Sequence, residues 1–299
     1  MEDLWVLIAS QFFGGLTRAA IYFLISSGLS LIFGVMDVIN FAHGAFYMLG
    51  AFLCYSCLQY FPPGIFSFFF AVLLGALILA LVGGLIELTL LRRTYSLGHV
   101  PQILLTYGLA LAFTDVVRLI WGGRFYTVSI PEVLEGFVSL GNIRLPTYNL
   151  FLIIFALSVY LILQLIIYHS RLGMIIRAIV YNREMVSALG IDASKVFLFV
   201  LMLGISLSGL AGGLYAPLST IGVGMDIGIL VESFAIVIIG GVGNLTGTLL
   251  AALIVGEIYA FAILLPQPIP QLAQGFIFIF MILILLLRPY GLKGSILKL

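Results

Sequence analysis

Charge is what this sequence most lacks. Only 8% of its 299 residues are Asp, Glu, Lys or Arg, against about 25% in a soluble domain, so a water-soluble globule is excluded. Cysteine is nearly missing too. Cys54 and Cys57 are the whole supply, and their C-x-x-C spacing lies inside an apolar run with no second pair and no redox fold around it; two inert thiols are the reading. His43, His99 and His169 lie in separate stretches without ligand spacing, so no metal site is expected. There is no G-x-x-x-x-G-K-S/T, hence no P-loop for ATP, and no His stands ready to activate Ser206 or Ser208, hence no nucleophile–base pair for an enzyme. A net charge of +1 gives no footing for nucleic acid or an acidic substrate. MEDLWVLIAS begins with Glu2 and Asp3 rather than a basic stretch, so the first apolar run is expected to be its own insertion signal.

What is there is apolar: 63% hydrophobic residues and a mean hydropathy of +1.27. About twenty apolar residues cross a bilayer core, and such runs recur, while the alternating segments of a membrane barrel do not occur. The expected fold is all-α: a polytopic helical membrane protein with eight or nine transmembrane helices, some broken, in a single domain over residues 1–299. Spans are placed at about 12–33, up to 60, 66–91, 102–121, up to 168, 195–215, 230–240, 248–265 and 272–287. Pro62-Pro63-Gly64 and Pro266, Pro268 and Pro270 read as turns, GVGMDIG (222–228) as a short loop, and 122–149 as a longer polar one. Gly209 and Gly213, with Ser206, Ser208, Ala211 and Gly212, form a small-residue face suited to close helix contact, in this chain or with a second subunit.

Basic residues orient the chain. Arg92, Arg93, Arg171, Arg177, Arg183, Lys195, Arg288, Lys293 and Lys298 fall on loops consistent with one side, which the positive-inside rule makes cytoplasmic. The long polar stretch among them, residues 169–195, is read as a cytoplasmic loop gripped by a soluble partner. Within it Asn182 is an N-cap, Arg183 and Glu184 open a short helix, and Ala188, Leu189 and Gly190 close it, Gly190 as a left-handed stop. Ile191 and Asp192 follow, Asp192 capping the next membrane helix. Such a helix is too short to stand alone, and Met185, Val186 and Leu189 form its docking face.

Two polar interruptions stand out: Asn40, Phe41, Ala42, His43 and Gly44 after the first span, and Gly240, Gly241, Gly243 and Asn244 before the eighth. Broken helices in two halves of a chain point to a transport route. An interfacial loop, with Asn40 capping and His43 in water, is the competing reading of the first. Asp115 and Arg118 are spaced to pair on one helix face, and Glu87 is close enough to Arg92 to pair. Arg18, Asp37, Glu232 and Glu257 also lie within or near spans. A second class of function, an ion-coupled secondary transporter, would rest on Glu257.

GLSLIFGVMDVINFAHGAFYMLGAF (28–52), PQILLTYGLALAFTDVVRLIWG (101–122), GMIIRAIVYNREMVSALGIDASKV (173–196), SFAIVIIGGVGNLTGTLLAALIVG (233–256) and LLLRPYGLKG near the end closely resemble the branched-chain amino acid permeases of ABC transporters, of the LivH type. The resemblance implies one half of an importer's pore in the bacterial inner membrane, paired with a second, LivM-like permease and surrounded by membrane lipid. It implies two cytoplasmic ATPases, which hold the ATP and Mg while this chain binds no cofactor, and a periplasmic binding protein. Residues 182–192 match the loop that couples to the ATPase; the wider E-A-A-x-x-x-G pattern keeps Glu184 and Gly190 here but has Met185 and Val186 in place of the alanines. The substrate is expected among branched-chain or related amino acids and amides.

Overall fold

The computed structural model describes residues 2–141, 143–265 and 273–293. The turn expected at Pro266, Pro268 and Pro270, the start of the last span at Leu272, and Lys298 lie outside them. Lipid offers the backbone no hydrogen bonds, so apolar runs close their own as helices. They are α1 (Glu2–Met36), α2 (His43–Leu58), α3 (Ile65–Thr89), α4 (His99–Trp121), α5 (Thr147–His169), α6 (Arg171–Tyr181), α7 (Arg183–Ala188), α8 (Ala193–Tyr215), α9 (Met225–Gly240), α10 (Leu245–Ala262) and α11 (Ala273–Leu287). Of these α1, α3, α4, α5, α8 and α10 are long and apolar enough to cross a membrane, and α2 and α11 are shorter apolar helices.

Three features differ from expectation. The 122–149 loop holds a small antiparallel hairpin, β1 (Phe137–Leu140) on β2 (Ile143–Pro146). GVGMDIG is not all loop, because α9 starts at Met225, behind a left-handed Gly224. The stretch after α5 folds into α6 before the expected short helix. Its Ser170 side chain caps the Gly173 N–H, and Gly173, Ile176 and Ile179 form its buried stripe.

Small residues set the centre. α8 crosses α1 at Gly28 on Gly204, and crosses α2 at Gly50 on Gly209 and Tyr47 on Gly212, with the Gly209 and Gly213 face turned to Leu79 and Val72 of α3. The small-residue face therefore serves helices of this same chain. On the far side of α1, Gly15 meets Gly256 of α10. Backbones this close gain dispersion contact that larger side chains forbid. Helices α4 and α5 lie outside this centre and are mostly exposed.

The basic residues gather at one end of the bundle. α1 finishes there at Asp37, the one non-glycine with a left-handed φ (+56°) among the described residues, a position helix ends usually give to Gly. Its N–H closes on Phe33 O at 3.0 Å and its carboxylate lies 3.8 Å from His99 Nε2 at the start of α4. Arg124 and Arg144 lie at the other end, where Tyr126 and Ile221 exchange backbone hydrogen bonds and the Trp121 indole donates to Ser56 Oγ at 2.7 Å. Both spaced pairs form: Arg118 Nη1 to Asp115 Oδ1 at 3.0 Å, and Arg92 to both Glu87 oxygens at 3.0 and 3.2 Å.

Candidate functional site

The chain beyond Asp37 does not cap the bundle as an interfacial loop; it turns back into it as non-helical backbone. Val38, Asn40, Ala42 and His43 are all buried. His43 Nε2–H donates to Ile25 O at 2.9 Å, eleven residues up α1 from its end, or about 16 Å at helical rise. Non-helical backbone at that depth must be satisfied by the protein itself. Thr106 Oγ1 donates to Ile39 O at 3.1 Å, Asn40 Oδ1 accepts the Ala42 N–H at 3.1 Å, and Ser208 Oγ donates to His43 O at 2.7 Å. α2 is thus a part-length helix that begins inside the protein. Gly44 of its first turn rests on the backbone of Asp226 in the first turn of α9, and Phe41 packs on Phe234 at 5.5 Å. Asp226 in turn accepts from Thr114 of α4 at 3.1 Å.

The second interruption sits elsewhere. Asn244 caps α10 by accepting the Gly247 N–H at 2.8 Å and donates through Nδ2 to Lys293 O at 2.9 Å, while Gly240 O accepts the Lys293 N–H. Gly243 lies against Gly34 of α1 and donates its N–H to Ser30 Oγ at 3.1 Å. Along α1, Ile25 and Gly34 are nine residues, about 14 Å, apart. The structure therefore does not bring 40–44 and 240–244 together. The first is buried packing, and Gly243 and Asn244 line a cavity of about 190 Å³ at the basic end, with Tyr168, Arg177 and Lys293.

A cavity at the other end was not foreseen. It measures about 170 Å³ and is lined by Arg18 and Tyr22 of α1, Tyr47 of α2, Tyr215 of α8, Glu232 of α9 and Gln274 of α11. Arg18 Nε donates to the Tyr22 hydroxyl at 3.0 Å, and its guanidinium stacks 3.4 Å over the Tyr259 ring. Tyr22 also faces Glu232, whose Oε1 accepts from Gln274 Nε2 at 3.3 Å. Arg18 and Glu232 were visible as charges within spans, but nothing local ties residues so distant in sequence. Glu257 differs: both its oxygens are buried without a partner among the described residues, pressed against Gly15 at the α1–α10 crossing rather than grouped with a second carboxylate.

At the basic end the short helix forms as its residues dictate. Asn182 Oδ1 accepts the Met185 N–H at 2.9 Å, Gly190 takes φ +82°, and Asp192 caps α8 by accepting the Ser194 N–H at 2.9 Å. Its face divides, however. Val186 is 4% exposed, while Met185 and Leu189 are 62% and 74% exposed. Val186 is a root that holds α7 to the bundle, so the outward pair is Met185 and Leu189 alone. A second root is Arg183, whose guanidinium lies 4.8 Å from the Phe197 ring of α8 and 5.9 Å from Tyr95, within cation–π range. Tyr95 donates to Glu87 at 3.2 Å; burial and then the Glu87 carboxylate push its phenol above the usual range, so it stays a neutral donor. Through these contacts α7 is tied to α8 and to the end of α3. Asn182→Ala removes the cap and is expected to cost about 1 kcal/mol of local stability. Hydrogen exchange should then quicken over 183–189 while the exchange of α8 and the thermal midpoint hold.

The family model described as "Branched-chain amino acid transport system / permease component" matches residues 11–285. The chain is 26% identical to the high-affinity branched-chain amino acid transport system permease protein LivH of Salmonella typhimurium, with 98% of each chain covered. It is 26% identical to the corresponding protein BraD of Pseudomonas aeruginosa, with 95% of each covered. To the probable branched-chain amino acid transport permease protein LivM of Methanocaldococcus jannaschii it is 26% identical over 77% of this chain and 69% of that one. No solved structure matches it significantly. A multi-pass helical membrane protein that matches this family over nearly its whole length is a transport permease and not an enzyme, and the chain belongs to the permease components of branched-chain amino acid transport systems.

Proposed function

We propose that this chain is one permease domain of an ATP-driven importer in a bacterial inner membrane, carrying branched-chain or related amino acids or amides. It would pair with a second, LivM-like permease. Two cytoplasmic ATPases holding ATP and Mg would grip α7, and a periplasmic protein would deliver the ligand at the opposite end. The observation that carries the reading is α7 itself: a doubly capped six-residue helix, rooted by Val186 and Arg183, that offers Met185 and Leu189 to solvent at the basic end. A helix that short holds its shape only by its caps and roots, so a push on its outer face passes to α8 and α3 rather than melting it. Nine crossings follow if the largely buried segment 38–42 and α2 together make one. The start of α1 and the hairpin then face the periplasm, where a cavity of about 460 Å³ opens among Gln59, Phe61, Phe68, Glu132 and Glu135.

The test is energetic. In proteoliposomes holding both permeases and both ATPases, uptake of radiolabelled leucine from its binding protein should require ATP and survive a protonophore. Uptake that ignores ATP and collapses with the protonophore would contradict the reading.

A further inference from the structure

The cavity between Arg18 and Glu232 has the chemistry of a ligand site. Arg18 stands eighteen residues before the end of α1, about 27 Å from the basic end, so the cavity lies in the half of the bundle facing the periplasm. Charges at such depth are costly and normally neutralise each other directly. These two do not: no ion pair joins them among the described residues, and the Tyr22 hydroxyl stands between them. Arg18 spends Nε on Tyr22 and one ring face on Tyr259, which leaves its terminal Nη donors without a protein acceptor among the described residues. Glu232, 5% exposed, has the Gln274 amide on one oxygen. Beside them are the Tyr47 and Tyr215 rings, with Ile21, Met225 and Ile229 as apolar wall. A cavity of about 170 Å³ has room for one small molecule, some five or six waters' worth.

We propose that this cavity binds a zwitterionic α-amino acid, its carboxylate on the Arg18 Nη groups, its ammonium on Glu232 and its aliphatic side chain along Ile21 and Ile229. This rests on the importer reading above and assigns a substrate-binding site within this chain. A ligand with both charges pairs with two charged groups that no ion pair joins among the described residues; a monovalent ligand pairs with only one.

The test uses the assembled permease pair with its ATPases in lipid nanodiscs, without the binding protein, and measures direct binding of leucine, isoamylamine, 4-methylpentanoate and 4-methylpentanamide. Leucine should bind tightest. Glu232→Gln should weaken leucine by at least about tenfold, the loss of one charged hydrogen bond, while leaving 4-methylpentanoate unchanged; Arg18→Gln should weaken leucine and spare isoamylamine. A third variant guards against misfolding: Gly228 lines the cavity and a Cβ there meets nothing within 4 Å, so Gly228→Leu should keep the unfolding midpoint of the unaltered chain while it obstructs the cavity and abolishes binding and ATP-driven uptake. Equal binding of the neutral amide, loss of all four ligands alike in Glu232→Gln or Arg18→Gln, or leucine binding in Gly228→Leu would each overturn the proposal. Normal ATP-driven uptake in all three variants would overturn the site alone. Absence of ATP-driven uptake in the unaltered complex would overturn the importer reading itself.

Discussion

Gly212→Val should strongly destabilise this protein. Gly212 lies on α8 where α2 crosses it, and a Cβ there runs into the Tyr47 carbonyl and the Ala51 amide. These are backbone atoms of a buried helix, so no rotamer change makes room. Val also brings two methyl groups where the helices touch. Overpacking a core costs typically 1–3 kcal/mol even where side chains can yield; where only backbone can yield, about 3 kcal/mol or more is expected. In a chain of 299 residues that lowers the thermal midpoint by about 5 °C or more. Gly108→Val is the control: Gly108 is also inside a membrane helix, α4, but a Cβ there meets nothing within 4 Å. Fluorescence-monitored unfolding in detergent should find Gly212→Val strongly shifted and Gly108→Val unchanged. Two equal shifts would mean that glycine matters for helix flexibility here and not for the crossing.

That crossing shows what local sequence carries and what it does not. The small-residue spacing of Gly209 and Gly213 announced a close contact, but not whose backbone comes near. The same division holds across the site. Asn182, Gly190 and Asp192 act on groups two or three residues away, or on their own φ, so their roles were legible from type and spacing. Val186 looked like the neighbours on its face; only the path of the chain around it decides that it points inward. The depth of His43 depends on α1 ending at a left-handed Asp37, a position where sequence offered no glycine to mark the stop. Arg18 and Glu232 line one cavity because α1 and α9 are adjacent in the bundle, and no periodicity within either helix encodes that. The amphipathic α6 was within reach: Ser170 and the apolar positions 173, 176 and 179 are ordinary helix signals, overshadowed by the basic residues between them.

The second large effect is expected at α7. Met185 and Leu189 are four residues apart and mostly exposed, so aspartate there costs the isolated permease little. In a docked complex each would enter a groove on the ATPase, and burying one such side chain is worth roughly 1.5–3 kcal/mol. Replacing both with charges should remove at least about 3 kcal/mol of binding, a loss of more than a hundredfold in affinity. Uptake should vanish with it. Val186 must stay untouched in this experiment, because it is buried and its replacement would disturb the fold.

The central claim is therefore best met by titrating the ATPase onto the detergent-solubilised permease pair, with this chain unaltered and as the Met185→Asp, Leu189→Asp double variant. Tight binding to the first and loss of more than about a hundredfold to the second, with unchanged unfolding midpoints, is the result expected if α7 is the grip. Equal affinity for both would show that the ATPase holds the permease elsewhere and would contradict the account.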